Sequence, residues 1–185
     1  MTLQSNLDCK IIIPARYKSS RFEGKPLAQI HDVPMIKRVW LQCIQAVQED
    51  NVFVATDSNR IRDYCSSEGI KSIMTSDTCL TGTDRVFEAS KKIDADLYIN
   101  VQGDEPFIDP SDIQKVIDES LKYPNDVINA MAEISDEIDF RSSGVPKVIF
   151  DSRKNLLFMS RAPIPTNKNN EFLKAYKQVC IYAFP

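Results

Sequence analysis

Three isoleucines, Ile11 to Ile13, run unbroken into Pro14 and then into a loop whose charged residues are Arg16, Lys18, Arg21 and Lys25 against Glu23. A short apolar run without alternation predicts a strand buried on both faces. Val52 to Ala55 and Leu97 to Val101 repeat the pattern, and Ser72 to Met74 is a shorter version. Between these runs the apolar spacing becomes helical. From Pro34 to Glu49, Met35, Ile36, Val39, Trp40, Cys43 and Val47 share one face, with proline at the first turn. Ser58 is placed to cap a second helix with Ile61, Tyr64 and Cys65 inward, and Gly69 to stop it in a left-handed conformation. A third helix is expected over Thr83 to Ile93, with Val86, Phe87, Ser90 and Ile93 inward and Thr83 or Asp84 at its amino end. Asp109-Pro110-Ser111 opens a fourth, carrying Ile113, Val116, Ile117 and Leu121. Strands alternating with helices predict an α/β fold with a doubly wound, mostly parallel sheet and right-handed crossovers.

The rhythm changes near Val127. Val127 to Ile134 reads as one longer strand, Val148 to Phe150 and Leu156 to Met159 as a hairpin about the turn Asp151 to Asn155, and Tyr176 to Phe184 as a last strand. Pro163 to Asn170 is rich in turn formers and is expected to be an exposed loop. The expected organisation is therefore an α/β core over 1–125 and a small β-rich appendage over 126–185, within a single structural domain.

Charge and cysteine content narrow the picture. The chain has 23 basic and 26 acidic residues, a formal net charge of -3, which argues against a general nucleic-acid binder. Its five cysteines are scattered and never form a C-x-x-C pair, the pattern of reduced, mostly buried thiols in a cytosolic protein. The single histidine, His31, sits in the turn HDVP, which excludes a multi-histidine metal site within one chain and disfavours a serine-histidine triad. No run approaches the length of about 18 apolar residues that a membrane span needs. A soluble, cytoplasmic protein with no membrane insertion is expected.

Three loops then fall at the carboxyl ends of parallel strands: Ala15 to Pro26, Thr75 to Thr83 with Arg85 beyond it, and Gln102 to Pro106. In a doubly wound sheet those ends line one edge, so that Arg16, Arg21, Lys25, Arg85 and Asp104 can converge. Arginine forks and a lysine suit a polyphosphate. An aspartate beside them is repulsive unless a cation lies between, and Mg²⁺, held by one or two carboxylates plus phosphates, removes the conflict.

The stretches IIIPARYKSSRFEGKPL, VATD (54–57), MTS with TGTDR (74–76 and 81–85), INVQGDEPFI (99–108) and FMSRAPIP (158–165) resemble the 3-deoxy-manno-octulosonate cytidylyltransferases, the CMP-Kdo synthetases. The resemblance runs in order over nearly the whole chain and implies a nucleotide-diphospho-sugar transferase-like fold. It implies a Mg-dependent nucleotidyltransferase that joins CMP from CTP to the anomeric hydroxyl of Kdo, with release of pyrophosphate, for lipopolysaccharide biosynthesis in the cytoplasm. Carried over motif by motif, Pro14, Ala15, Arg16, Arg21 and Lys25 would bind the nucleotide, Met74, Thr75, Ser76, Gly82 and Arg85 would recognise cytosine and ribose, and Gln102 would serve nucleotide and sugar. Arg161, Gln178 and Tyr182 would complete the sugar site, and Asp104 would ligate magnesium. Arg16, Lys25 and Asp104 would be catalytic. The 126–185 part would hold the sugar and form a homodimer. Glu23 stands where the family usually has proline, and Gln178 where it usually has histidine. The family continues beyond the position of Pro185 and there carries a second metal aspartate, so this sequence lacks the C-terminal portion. Alternative readings are a cytidylyltransferase for 8-amino-Kdo or a sialic-acid-like sugar, or a truncated, non-catalytic CTP-binding protein.

Overall fold

The structure, a computed structural model, describes residues 7–18 and 22–185. The isoleucine run forms β1 (Cys9–Ala15), in which Ile11, Ile12 and Ile13 have no solvent exposure. After it come a small antiparallel ribbon of β2 (Gln29–Ile30) and β3 (Val33–Pro34), then α1 (Met35–Ala46), β4 (Val52–Thr56), α2 (Asn59–Ser67), β5 (Ser72–Met74), α3 (Gly82–Ser90), β6 (Leu97–Val101) and α4 (Pro110–Lys122). The remaining elements are β7 (Ile128–Glu133), α5 (Glu137–Arg141), β8 (Lys147–Phe150), β9 (Leu156–Ser160) and β10 (Tyr176–Phe184). The chain divides into two compact units, Met1–Ile128 with Cys180–Pro185, and Asn129–Val179.

In the first unit the parallel strands lie in the order β5-β4-β1-β6, and Ile181–Phe184 of β10 run antiparallel beside β6. This is the mostly parallel, doubly wound sheet that the sequence predicts. From β1 the chain moves outward through α1 to β4 and α2 to β5; from β5 it returns through α3 to β6 on the other side of β1. Right-handed crossovers in opposite directions put α1 and α3 on opposite faces. Ile12, Ala55, Val86 and Ala89 form the core under α3. Ile11 and Ile13 point the other way by strand alternation, and α1 buries Ile36, Val39, Trp40 and Cys43. Coverage on both faces is why β1 is a continuous apolar run rather than an alternating one.

Local departures from the expected elements have identifiable causes. Helix α1 stops at Ala46 because β-branched Val47 takes extended dihedrals, and Glu49–Asn51 form a 3₁₀ turn instead. Helix α3 ends at Ser90, and its inward positions are Arg85, Val86 and Ala89. Phe87 lies about 100° round the helix from Val86 and is exposed, with the Lys91 ammonium 4.1 Å from its ring centre. Leu121 is likewise largely exposed, while Ser120 is buried and donates to the Val116 carbonyl. Ser58 precedes α2 without a side-chain cap; its N–H instead donates to the Thr56 hydroxyl. Gly69 does take the left-handed conformation, at φ 73°. His31 is the exposed tip of the β2–β3 turn. No cysteine is paired among the described residues, and Cys9, Cys43 and Cys65 are buried.

In the second unit β8 and β9 form the expected hairpin, and Tyr176 and Lys177 of β10 pair with β8. Helix α5 was not foreseen. Asp136 caps it by accepting from the Asp139 N–H, and Phe140, buried on it, stacks on Phe172 beside Ile134 and Ala175. Lys147, at the start of β8, is fully buried; its ammonium donates to the carbonyls of Ser142 and Val145, both at 2.7 Å. Burial, with help from the nearby Arg161 charge, pushes its pKa down.

Candidate functional site

Strand β1 pairs with β6 only as far as Ile12 and Asn100, whereas its pairing with β4 continues to Ala15 and Thr56. The ladder between β1 and β6 ends there, at the place where the winding direction of the sheet reverses. Ligands of doubly wound sheets bind at such a switch point. A solvent-open cleft of about 230 Å³ lies there, lined by Pro14 to Arg16, Lys25 and Pro26, Cys79 to Gly82, Arg85, and Gln102 to Asp104. Its floor is tight, since a Cβ on Gly103 would stand 2.7 Å from the Pro14 carbonyl oxygen. Only glycine fits that approach of one backbone to another.

The basic loop after β1 is closed at its neck. The Gly24 N–H donates to the Tyr17 carbonyl at 2.8 Å, and Gly24, at φ 71°, turns the chain into a 3₁₀ turn over Lys25–Leu27. Arg60 from α2 donates to the Tyr17 hydroxyl at 2.7 Å. Lys25 therefore emerges at the start of a short helical turn, and its ammonium meets Asp104 Oδ2 at 2.6 Å. Both groups remain substantially exposed. Arg16 is exposed on the cleft and makes no hydrogen bond to another described residue. Arg21 lies outside the described residues.

Arg85 reaches the same cleft in a different condition. Only 3% of its side chain is exposed, and Nη2 pairs with Asp57 at 2.9 Å. Nη1 donates to the Thr75 hydroxyl and, at 3.3 Å, to the Ser76 carbonyl. This cation is consumed in holding the loop after β5 to the end of β4. The loop then enters α3 through a reciprocal cap: Thr81 Oγ1 accepts from the Asp84 N–H at 3.1 Å, and the Asp84 carboxylate accepts from the Thr81 N–H at 2.8 Å. Hydrogen bonds from Thr81 hold the Asp84 pKa down.

Glu88, which the sequence reading passed over, belongs to this loop as well. Both its carboxylate oxygens accept from the Ser76 N–H, at 2.9 and 3.0 Å, and Oε2 accepts from the Cys79 thiol at 3.3 Å. The bond from the Ser76 N–H is the main cause of its lowered pKa. Its position, three residues after Arg85 on α3, is the signal that could have found it.

On the β6 side, the Gln102 N–H donates to the Cys180 carbonyl at 3.3 Å, and its side-chain amide lies against Gly82, as does the Pro14 ring. Glu105 follows Asp104; burial first, and the Asp104 charge second, push its pKa up. Tyr182 sits opposite Asn100 on β10 and is half-buried, which raises its pKa.

Comparison with known proteins gives the family. The cytidylyltransferase family model matches residues 10–184. The chain belongs to the cytidylyltransferase family. It is 39% identical over 183 residues to the 8-amino-3,8-dideoxy-manno-octulosonate cytidylyltransferase of Shewanella pealeana, covering 96% of this chain and 75% of the relative. It is 38% identical over 174 residues to the 3-deoxy-manno-octulosonate cytidylyltransferase of Escherichia coli, covering 94% of this chain and 71% of the relative. A solved structure of CMP:2-keto-3-deoxy-manno-octonic acid synthetase complexed with CTP superposes with a TM-score of 0.85 at 39% identity, over 96% of this chain and 73% of that one.

Two further candidate residues of this cytidylyltransferase lie in the second unit. Arg161 is exposed, and its Nη1 donates to the carbonyls of Ser143 at 2.7 Å and Gly144 at 3.3 Å. Lys147 holds the same turn at Ser142 and Val145, so four successive carbonyls serve two cations. Gln178, on β10, donates its N–H to the Pro146 carbonyl at 3.0 Å. Among the described residues no three metal-ligating side chains cluster, and no helix is long and apolar enough to cross a membrane.

Proposed function

We propose that this cytidylyltransferase transfers CMP from CTP to a 3-deoxy-octulosonic acid, Kdo or its 8-amino analogue, releasing pyrophosphate. The observation that carries the reading is that the family match, over residues 10–184, spans all three rims of the switch-point cleft. The 8-amino sugar is kept beside Kdo because relatives named for each are equally similar to the chain.

The residues suggest a division of labour. Arg16 has no hydrogen-bond partner among the described residues and lines the cleft, so its guanidinium can take phosphate oxygens as a fork. Lys25 offers a compact charge, and an entering triphosphate competes with Asp104 for it. The Met74 to Arg85 loop stands where it can read the base, and Arg161, steadied by the Ser143 and Gly144 carbonyls, suits the planar carboxylate of the sugar. Gln102, Gln178 and Tyr182 are the other residues proposed for the sugar. In the reaction the sugar's anomeric oxygen forms a bond to the α-phosphorus as the bond to the departing pyrophosphate oxygen breaks, and the sugar hydroxyl releases its proton. Such transfers depend on in-line placement and charge neutralisation. No histidine is needed at the cleft, and His31 is not on it.

The donor set suits magnesium. Asp104 presents a half-exposed hard oxygen donor in the cleft, and Mg²⁺ is commonly held by one or two carboxylates with substrate phosphates completing its shell. Bound through Asp104, magnesium would supply Lewis-acid neutralisation of the phosphate oxygens and a lowered pKa for the sugar hydroxyl. A cytoplasmic location and a homodimer are part of the same proposal; exposed Leu156, Leu157 and Phe158 on β9 are apolar surface that supports the latter.

The test is pyrophosphate release from CTP, with and without magnesium, with Kdo, 8-amino-Kdo and a sialic acid as acceptors. The expected result is magnesium-dependent release with one of the octulosonic acids. Release with none of the three overturns the proposal.

A further inference from the structure

We propose that Glu88 is a positioning residue that sets the choice of base, by fixing the peptide between Thr75 and Ser76. The inference rests on the reading that the Met74 to Arg85 loop faces the cytosine. Along α3 and just past it, Arg85, Glu88 and Lys92 recur at helical spacing, and all three bond to three consecutive loop residues. Lys92 donates to the Met74 carbonyl at 2.6 Å and Arg85 to the Ser76 carbonyl at 3.3 Å. The Thr75 N–H donates to the Thr56 carbonyl at 2.8 Å. Glu88 takes the remaining N–H, that of Ser76, with both oxygens.

A planar trans peptide points its N–H and C=O in opposite directions. With the Ser76 N–H held on Glu88, the carbonyl of the same peptide, that of Thr75, is turned away from α3. It is also the one carbonyl of the three to which no described residue donates. An acceptor fixed in direction suits the amino group of cytosine. Uracil would set a carbonyl against it, and a site loses affinity when such a group is left unpaired. The carboxylate is well suited to hold that peptide. The bond from Ser76 keeps it in its charged form, the stronger acceptor, and its second contact, with Cys79, ties it to a residue lining the cleft.

The test is equilibrium binding of CTP and UTP to the 185-residue chain by calorimetry, which requires no turnover. Glu88→Ala is expected to cut the preference for CTP over UTP by about tenfold or more, the scale of one charge-assisted hydrogen bond. The loss should fall on CTP, with UTP binding little changed. Glu88→Gln keeps one acceptor oxygen and should recover part of the preference. Ser90→Ala removes a hydroxyl bond to the Phe87 carbonyl at the far end of the same helix without touching the peptide and should leave the ratio intact. Equal weakening of both nucleotides by Glu88→Ala would make Glu88 merely structural and overturn the proposal. An unaltered CTP to UTP ratio in Glu88→Ala, with the unsubstituted chain still discriminating, would overturn the clamp and leave the base-reading loop standing. Failure of the unsubstituted chain to discriminate would overturn both.

Discussion

The two cation-bearing rims of the cleft are built on opposite principles. On the β1 side, Arg16 has no hydrogen-bond partner among the described residues and Lys25 is paired with an exposed aspartate. On the β5–α3 side, Arg85 is buried against Asp57, and the loop is held by α3 through Arg85, Glu88, the Thr81–Asp84 cap and Lys92. One rim keeps its charge available; the other spends it on shape. The difference follows the roles proposed for them. Phosphates are large charges that tolerate mobile partners, whereas telling two pyrimidines apart depends on the direction of a few dipoles, which must be held still before the ligand arrives.

The contrast can be attacked from both sides. Asp104→Asn should give the largest effect, a loss of about 10³-fold in kcat/KM together with loss of the magnesium requirement, and no large change in melting temperature. Full rate in that variant would remove the carboxylate from the chemistry. Arg85→Met leaves the largely covered Asp57 carboxylate without its partner and should cost about 3 kcal/mol; for a chain of this size the melting temperature should fall by about 10 °C. If Arg85→Met kept its melting temperature and lost only CTP turnover, Arg85 would belong with the phosphate-facing cations and the contrast would collapse. Lys25→Ala should lower kcat/KM by about 10²-fold while leaving the melting temperature within about 3 °C, because an exposed ion pair contributes at most about 1 kcal/mol. The smallest effect is expected from Thr81→Ala, about 1 kcal/mol of stability through loss of the cap, read as a melting-temperature fall of about 3 °C.

Much of the architecture was legible in the chain itself. Continuous apolar runs marked β1, β4 and β6 because both faces of a parallel sheet are covered, and the same rule placed three loops on one edge. What sequence spacing could not show was the fate of individual charges. Arg16 and Arg85 look alike in the sequence, yet Arg85 is buried by Asp57, 28 residues earlier, a contact that exists only once β4 and β5 pair. Phe87 was misplaced because an apolar residue beside Val86 looks equally suited to the core, and only the angular position of the buried stripe decides between them. Helix α5 was missed because five residues hold too little periodicity; its cap at Asp136 and the burial of Phe140 make it form. Glu88 went unnoticed because its work is done on a backbone N–H, for which sequence carries no letter.

The ion pair between Lys25 and Asp104 has a consequence for selectivity among anions. Without substrate, the cleft carries its own counter-ion at 2.6 Å, so part of its positive charge is already compensated. A lone chloride or inorganic phosphate must compete with a tethered carboxylate. A triphosphate arriving with its cation faces no such handicap, since it offers lysine and carboxylate a new partner each. The pair would thus tilt the resting site away from simple anions and toward a ligand that brings both signs of charge, by no more than the roughly 1 kcal/mol that an exposed pair contributes.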